Sequence, residues 1–114
     1  MANKILIPLY GNDIAPRFDL ATEVLITDLD ENSENREEKI VVLPQASAEQ
    51  LCSLVITEEV DVVVCSGIEE EYYQYLTWKR VKVLDSVIGP RESVLERFYK
   101  GRLKSGDILY DKKG

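Results

Sequence analysis

Residues 60–68, Val-Asp-Val-Val-Val-Cys-Ser-Gly-Ile, constrain the fold more than any other stretch of this chain. Four valines and a cysteine follow one another with no polar alternation after Asp61. A short, β-branched, unbroken apolar run is the pattern of a strand covered on both faces. Ser66 and Gly67 end it, and Glu69, Glu70 and Glu71 open a helical pattern with acids in its first turn. Strand, tight glycine turn and helix together form the central unit of an open α/β sheet. Ligands of such sheets bind beyond the carboxyl ends of the strands, so residues 65–68 are the first place to look for a site.

The remaining segments arrange themselves around that strand. Residues 4–10 are apolar on both faces and read as a second central strand. Pro8 lacks a ladder donor and therefore belongs near its end. Gly11, Asn12 and Asp13 are turn residues. Residues 14–19 follow as a loop, with Pro16 keeping Ala15 extended. Residues 22–29 alternate, with Val24 and Ile26 on one face and Leu25, Thr27 and Leu29 on the other. A polar turn over 30–37 leads to a returning strand at 39–43, giving an antiparallel hairpin.

Ser47 with Gln50 forms a capping box, and Leu51, Leu54 and Val55 make the apolar stripe of a first helix. Ile68, Tyr72, Tyr75 and Leu76 mark the buried face of a second helix and leave Tyr73 and Trp78 off it. Residues 81–84 are a short third parallel strand. Pro90 starts a last helix with Val94, Leu95 and Phe98 inward and Gly101 as its C-cap. From Lys104 onward the chain reads as a loosely held tail. The expectation is one domain over residues 1–103 and a tail over 104–114. The order β-β-β-α-β-α-β-α predicts a five-stranded mixed α/β sheet, with the first strand beside residues 60–65 and a right-handed crossover to 81–84.

Composition narrows the function. At 114 residues the chain is long enough for one core, and a net charge of −7 disfavours nucleic acid and anionic membrane surfaces as partners. The one basic cluster, Lys79-Arg80-Val81-Lys82, reads as a solvated helix end. No signal peptide and no membrane-length apolar run are present, so a cytoplasmic protein with unpaired cysteines is expected. The sequence has no histidine, which removes every histidine-dependent nucleophilic triad. A two-metal nuclease would need converging acids, yet the first strand carries none, and Asp13, Asp19, Asp28 and Asp61 have no evident reason to meet. No enzymatic activity is expected.

Three motifs in order carry a family resemblance: residues 11–21 after an Ile-Pro strand, residues 60–68 before an aromatic helix, and residues 92–103 closing the last helix. Together they resemble the dinitrogenase iron-molybdenum cofactor biosynthesis domains, the NifX-like and NifB C-terminal-domain-like proteins, over nearly the whole chain. The resemblance implies a ribonuclease-H-like three-layer fold. It also implies a non-enzymatic role in binding or handing over an iron-sulfur or iron-molybdenum cluster. Two departures stand out. Arg17 occupies a position where many relatives carry histidine, and the connection Pro44-Gln45-Ala46-Ser47 replaces a Gly-rich, often His-containing loop. A protein-interaction module of the same fold that has lost cluster binding is the alternative.

Within that frame Cys65 is the soft metal ligand best placed on the sheet, a thiolate suited to iron. Free cysteine is also a residue of cores, and packing is the competing reading there and at Cys52. Two cysteines without histidine cannot complete a four-ligand site in one chain. Gly11, Asn12, Arg17, Ser66 and Gly67 are expected to line a crevice above Cys65. There Arg17 with Asp19 would clamp a small anionic ligand, unless Phe18 merely anchors the loop. The exposed aromatics Tyr73 and Trp78 offer a protein partner a second surface.

Overall fold

A computed structural model of the chain describes residues 4–28 and 38–110. Its first strand, β1 (Lys4–Tyr10), is buried from Ile5 to Leu9 and lies parallel to β5 (Val62–Val64), with Ile5 opposite Val62 and Leu6 opposite Val63. Two strands so apolar must be covered on both faces, and placing them side by side at the centre satisfies both. β5 pairs in parallel with β6 (Lys82–Leu84). On its other side β1 pairs antiparallel with β3 (Glu23–Asp28), which pairs antiparallel with β4 (Glu38–Val42). The sheet order is therefore β4-β3-β1-β5-β6. The turn between β3 and β4, with Leu29, lies outside the described residues.

A sixth strand, β2 (Asp13–Ile14), falls within the segment read from sequence as a turn and loop. The chain turns at Gly11, whose φ of +65 suits glycine, and folds back so that Leu9 faces Ile14. Pro8 stands opposite Val24 with two strand residues beyond it, and its carbonyl accepts from the Ala15 N–H at 2.9 Å. The β5 ladder has already ended at Leu6, so β2 takes over that side of β1 where proline cannot donate.

Helices α1 (Ala48–Thr57) and α2 (Glu70–Trp78) cover one face of the sheet, and α3 (Arg91–Tyr99) covers the other. Ser47 caps α1 by accepting from the Gln50 N–H at 3.1 Å. On the α1–α2 face, Leu6, Val24 and Val63 pack with Leu51, Val55 and Leu76. On the α3 face, Ile5, Ile7, Leu25 and Val64 pack with Val94. The two cores make three layers. The Tyr99 hydroxyl, donating to the Asp28 carbonyl at 2.9 Å, ties the end of α3 to the end of β3.

Two expectations are corrected. On α2 the half-buried ring packed against the core is Tyr73, whereas Tyr75 is exposed. The helix is nine residues long and Ile68 precedes it, so its inward stripe is set by Leu76 and passes through Tyr72 and Tyr73. Trp78 is exposed as anticipated, 73% of its surface reaching solvent. The second correction concerns the C-terminal segment, which over 104–110 is held rather than loose. The Ile88 N–H donates to the Asp107 carbonyl at 2.9 Å and the Leu109 N–H returns to the Ile88 carbonyl at 2.7 Å. Ser105 Oγ accepts from the Asp85 N–H, the Gly106 N–H donates to the Asp85 carbonyl, and Leu109 packs on the α3-side core. Leu109 supplies the apolar anchor that the polar spacing of the segment conceals. Residues 111–114 lie outside the described residues.

Candidate functional site

Beyond the carboxyl ends of β1 and β5, the segment 15–20 is drawn onto the turn after β5. The Gly67 N–H donates to the Pro16 carbonyl at 2.9 Å, and the Phe18 N–H donates to the Gly67 carbonyl at 2.7 Å. Arg17 and Gly67 thus face each other as an isolated parallel bridge. A Cβ on Gly67 would lie 3.0 Å from the Pro16 oxygen, which is why glycine stands at this close approach. Phe18, with no exposed surface, pins the segment from below against the Tyr72 ring, centroids 6.4 Å apart. The loop then closes in a single 3-10 turn (Phe18–Leu20).

This zipping determines where each anticipated residue stands. Cys65 is wholly buried in the α1–α2-side core rather than set at the floor of an open crevice. Its N–H donates to the Leu84 carbonyl and its carbonyl accepts from Val87. Burial, with the Asp85 carboxylate adding to it, pushes its thiol up to about 12. Cys52 is also buried, and desolvation with the nearby Glu49 charge pushes its thiol up to about 11. Both sulfurs are therefore protonated at neutral pH. Among the described residues no three histidine, cysteine, aspartate or glutamate side chains gather in a way that could hold a metal ion.

Gly11 and Asn12 lean the other way. The Asn12 carbonyl accepts from the Arg91 N–H at 2.7 Å, and the Ile14 N–H donates to the Gly89 carbonyl, so the β1–β2 turn serves to seat the start of α3. Arg17 holds Asp19 in a two-pronged pair, Nε to Oδ1 at 2.9 Å and an η nitrogen to Oδ2 at 2.8 Å. The pair sits at the surface, with 54% of the arginine side chain exposed. The guanidinium charge is thereby answered within the loop itself.

The open space at this end of the sheet lies on the other flank of the loop, in a cavity of about 320 Å³. Leu9, Tyr10, Pro16, Leu20 and Thr22 line it, and Arg17 alone among the anticipated site residues borders it. Tyr10 and Leu20 are 76% and 62% exposed and stand as apolar side chains at its mouth. Sequence reading passed over both. The available signal was a tyrosine closing a strand otherwise buried to its last residue, followed ten residues later by a leucine outside any helical or strand stripe. This is an apolar cleft with one charged rim, suited to an apolar or amphipathic group and lacking a nucleophile–base pair.

Comparison with known proteins follows the geometry. The crystal structure of PH0822 superposes with a TM-score of 0.79 at 18% identity, covering 90% of this chain and 93% of that one. A Methanocaldococcus jannaschii protein provisionally named a dinitrogenase gives 0.71 at 22% identity over 89% and 91% of the two chains. A Thermotoga protein provisionally named NifB gives 0.71 at 20% identity and covers both chains fully. Identities this low establish the shared α/β fold and nothing finer. A search of curated proteins finds no match. The family described as "dinitrogenase iron-molybdenum cofactor" matches residues 1–101. With nearly its whole length matched, the chain belongs to the dinitrogenase iron-molybdenum cofactor family.

Proposed function

We propose that this chain is a non-enzymatic binding module that keeps the fold of cofactor-biosynthesis proteins but does not itself hold a cluster. Its working surface is the cleft between Tyr10 and Leu20. Supporting the ribonuclease-H-like reading of the fold, the five strands other than β2 run in the order third, second, first, fourth, fifth, with the second reversed. The observation that carries the functional reading is the burial of Cys65, its thiol raised and its backbone occupied on both sides. An iron-sulfur or iron-molybdenum cluster is held by deprotonated thiolates with room beside each sulfur for the metal. These residues do not fit one, so a cluster enters this reading only as cargo on a protein partner. The cleft at Tyr10, Leu20 and Arg17 offers such a partner, or a small amphipathic ligand, an apolar recess with a charged rim.

A cytoplasmic setting belongs to the same reading. No helix among the described residues is long and apolar enough to cross a membrane, and the net charge of −7 sets the surface against polyanions.

Anaerobic reconstitution with iron and sulfide, followed by desalting, metal analysis and a visible spectrum, tests this assignment. The expected outcome is no retained stoichiometric iron and no charge-transfer absorption, with Cys65→Ser indistinguishable from the parent. Retained iron that is lost in Cys65→Ser and kept in Cys52→Ser would overturn it.

A further inference from the structure

An open sheet ends in strands whose outer backbone groups can still take a partner. The two edges of this sheet differ. β6 is three residues long, and its Val83 and Leu84 are buried. β4 is five residues long, and its Ile40 and Val42 are 46% and 66% exposed. At its end the Leu43 N–H donates to the Thr22 carbonyl at 2.7 Å. Bonded pairs alternate along an antiparallel ladder, so Val41 and Lys39 turn their backbone groups toward Val24 and Ile26 of β3. Those of Ile40 and Val42 therefore point out of the sheet, and among the described residues none bonds to them from that side. Their side chains share the α3-side face, because Ile40 stands opposite Leu25. Lys39, the residue type that guards such edges, faces the other way and donates to Glu58 at 3.0 Å.

This edge is complementary to itself. Two copies joined antiparallel about a two-fold axis must match outward-pointing residues with outward-pointing residues. Centred on Lys39 or Ile40, such a pairing sets an apolar residue against the partner's Glu38. Centred on Val42, it sets Ile40 against the partner's Pro44, which has no N–H to give. Centred on Val41, it sets Ile40 against the partner's Val42 and Val42 against the partner's Ile40. Every outward N–H and C=O of these residues is then met, and their side chains from both copies gather on one face. We infer that β4 pairs with β4 of a second copy of this chain about Val41, making one continuous sheet. The contact is small and each chain carries a charge of −7, so the dimer is weak, reversible and strengthened by salt. It rests on the strand alone, not on the reading of the Tyr10–Leu20 cleft.

Sedimentation equilibrium of the full chain from about 10 µM to about 1 mM tests for the dimer, and amide exchange on the ¹⁵N-labelled chain tests for the register. The mean mass should climb toward that of two chains. Raising sodium chloride from about 50 mM to about 500 mM should tighten association at least about twofold. At high concentration the Ile40 and Val42 amides should exchange at least about threefold more slowly, whereas the Val41 amide should be protected throughout. Ile40→Lys/Val42→Lys should weaken association at least about tenfold. Both side chains are exposed, so that variant should keep the parent's thermal transition. Trp78→Ala, at the exposed aromatic of α2, should associate like the parent. A monomer at every concentration would overturn the inference, as would undiminished association in the double lysine variant or its loss in Trp78→Ala. So would association that weakens with salt, or Ile40 and Val42 amides equally protected at every dilution.

Discussion

Cys65 shows how burial changes what a residue can do. From its position at the end of a central strand it looks like a metal ligand, yet its sulfur faces the interior, where the charged form is penalised. The linkage has a sign. A thiol whose pKa is raised on folding contributes stability that is complete below the unfolded value, near 9, and lost as pH rises toward about 12. Chemical denaturation between those limits should show stability falling with pH. Cys65→Ala should flatten that decline while lowering neutral-pH stability by about 1–2 kcal/mol through lost packing. An unchanged slope in the variant would mean the thiol is not the titrating group. Arg17 carries the same lesson, because the carboxylate that satisfies its guanidinium lies two residues along its own chain.

At the scale of elements, the C-terminal strap depends on one glycine. Gly89 adopts φ +150, and a Cβ there would lie 2.8 Å from the Leu109 Cβ. The parallel bridge between Ile88 and Ile108 forms beside it. Gly89→Ala should push Leu109 off the α3-side core at a cost of about 1–3 kcal/mol. Amide exchange should then quicken at Ile88, Gly106 and Leu109 while the β1–β5 ladder keeps its protection. Equal exchange in parent and variant would show that the strap does not rest on this contact. Sequence reading found the helices and strands here but not the strap. Residues 104–110 carry no periodic stripe, and the hydrogen bonds that hold them to residues 85–88 span about twenty positions. The exchange of Tyr73 for Tyr75 on α2 has a similar origin, because a nine-residue helix offers only about two and a half turns and its axial rotation is set by what it packs against.

The whole molecule is organised about two strands that have no solvent face. Val63 is fully buried, faces the α1–α2 core and stands beside Leu6 of β1. Val63→Asp should abolish cooperative folding, since an unpaired buried carboxylate costs several kcal/mol, a large part of the stability of a domain this size. A soluble variant with a sharp thermal transition would argue against a strand covered on both sides. The helices also divide the surface, with the α1–α2 side carrying a recess rimmed by acids and the loop end carrying an apolar cleft with the Arg17–Asp19 pair at its edge.

Local pattern alone determined the two central strands, the β3–β4 hairpin and the Ser47 cap, because each rests on periodicity, β-branching or turn chemistry within a few residues. The family could also be read from motif order. Tertiary structure decided what happens between neighbouring loops. Whether residues 16–18 leave a crevice over Cys65 or close onto Gly67 depends on hydrogen bonds between segments some fifty positions apart. No local pattern encodes that distance. The open cleft consequently lies at Tyr10 and Leu20, on the far side of the loop from the cysteine.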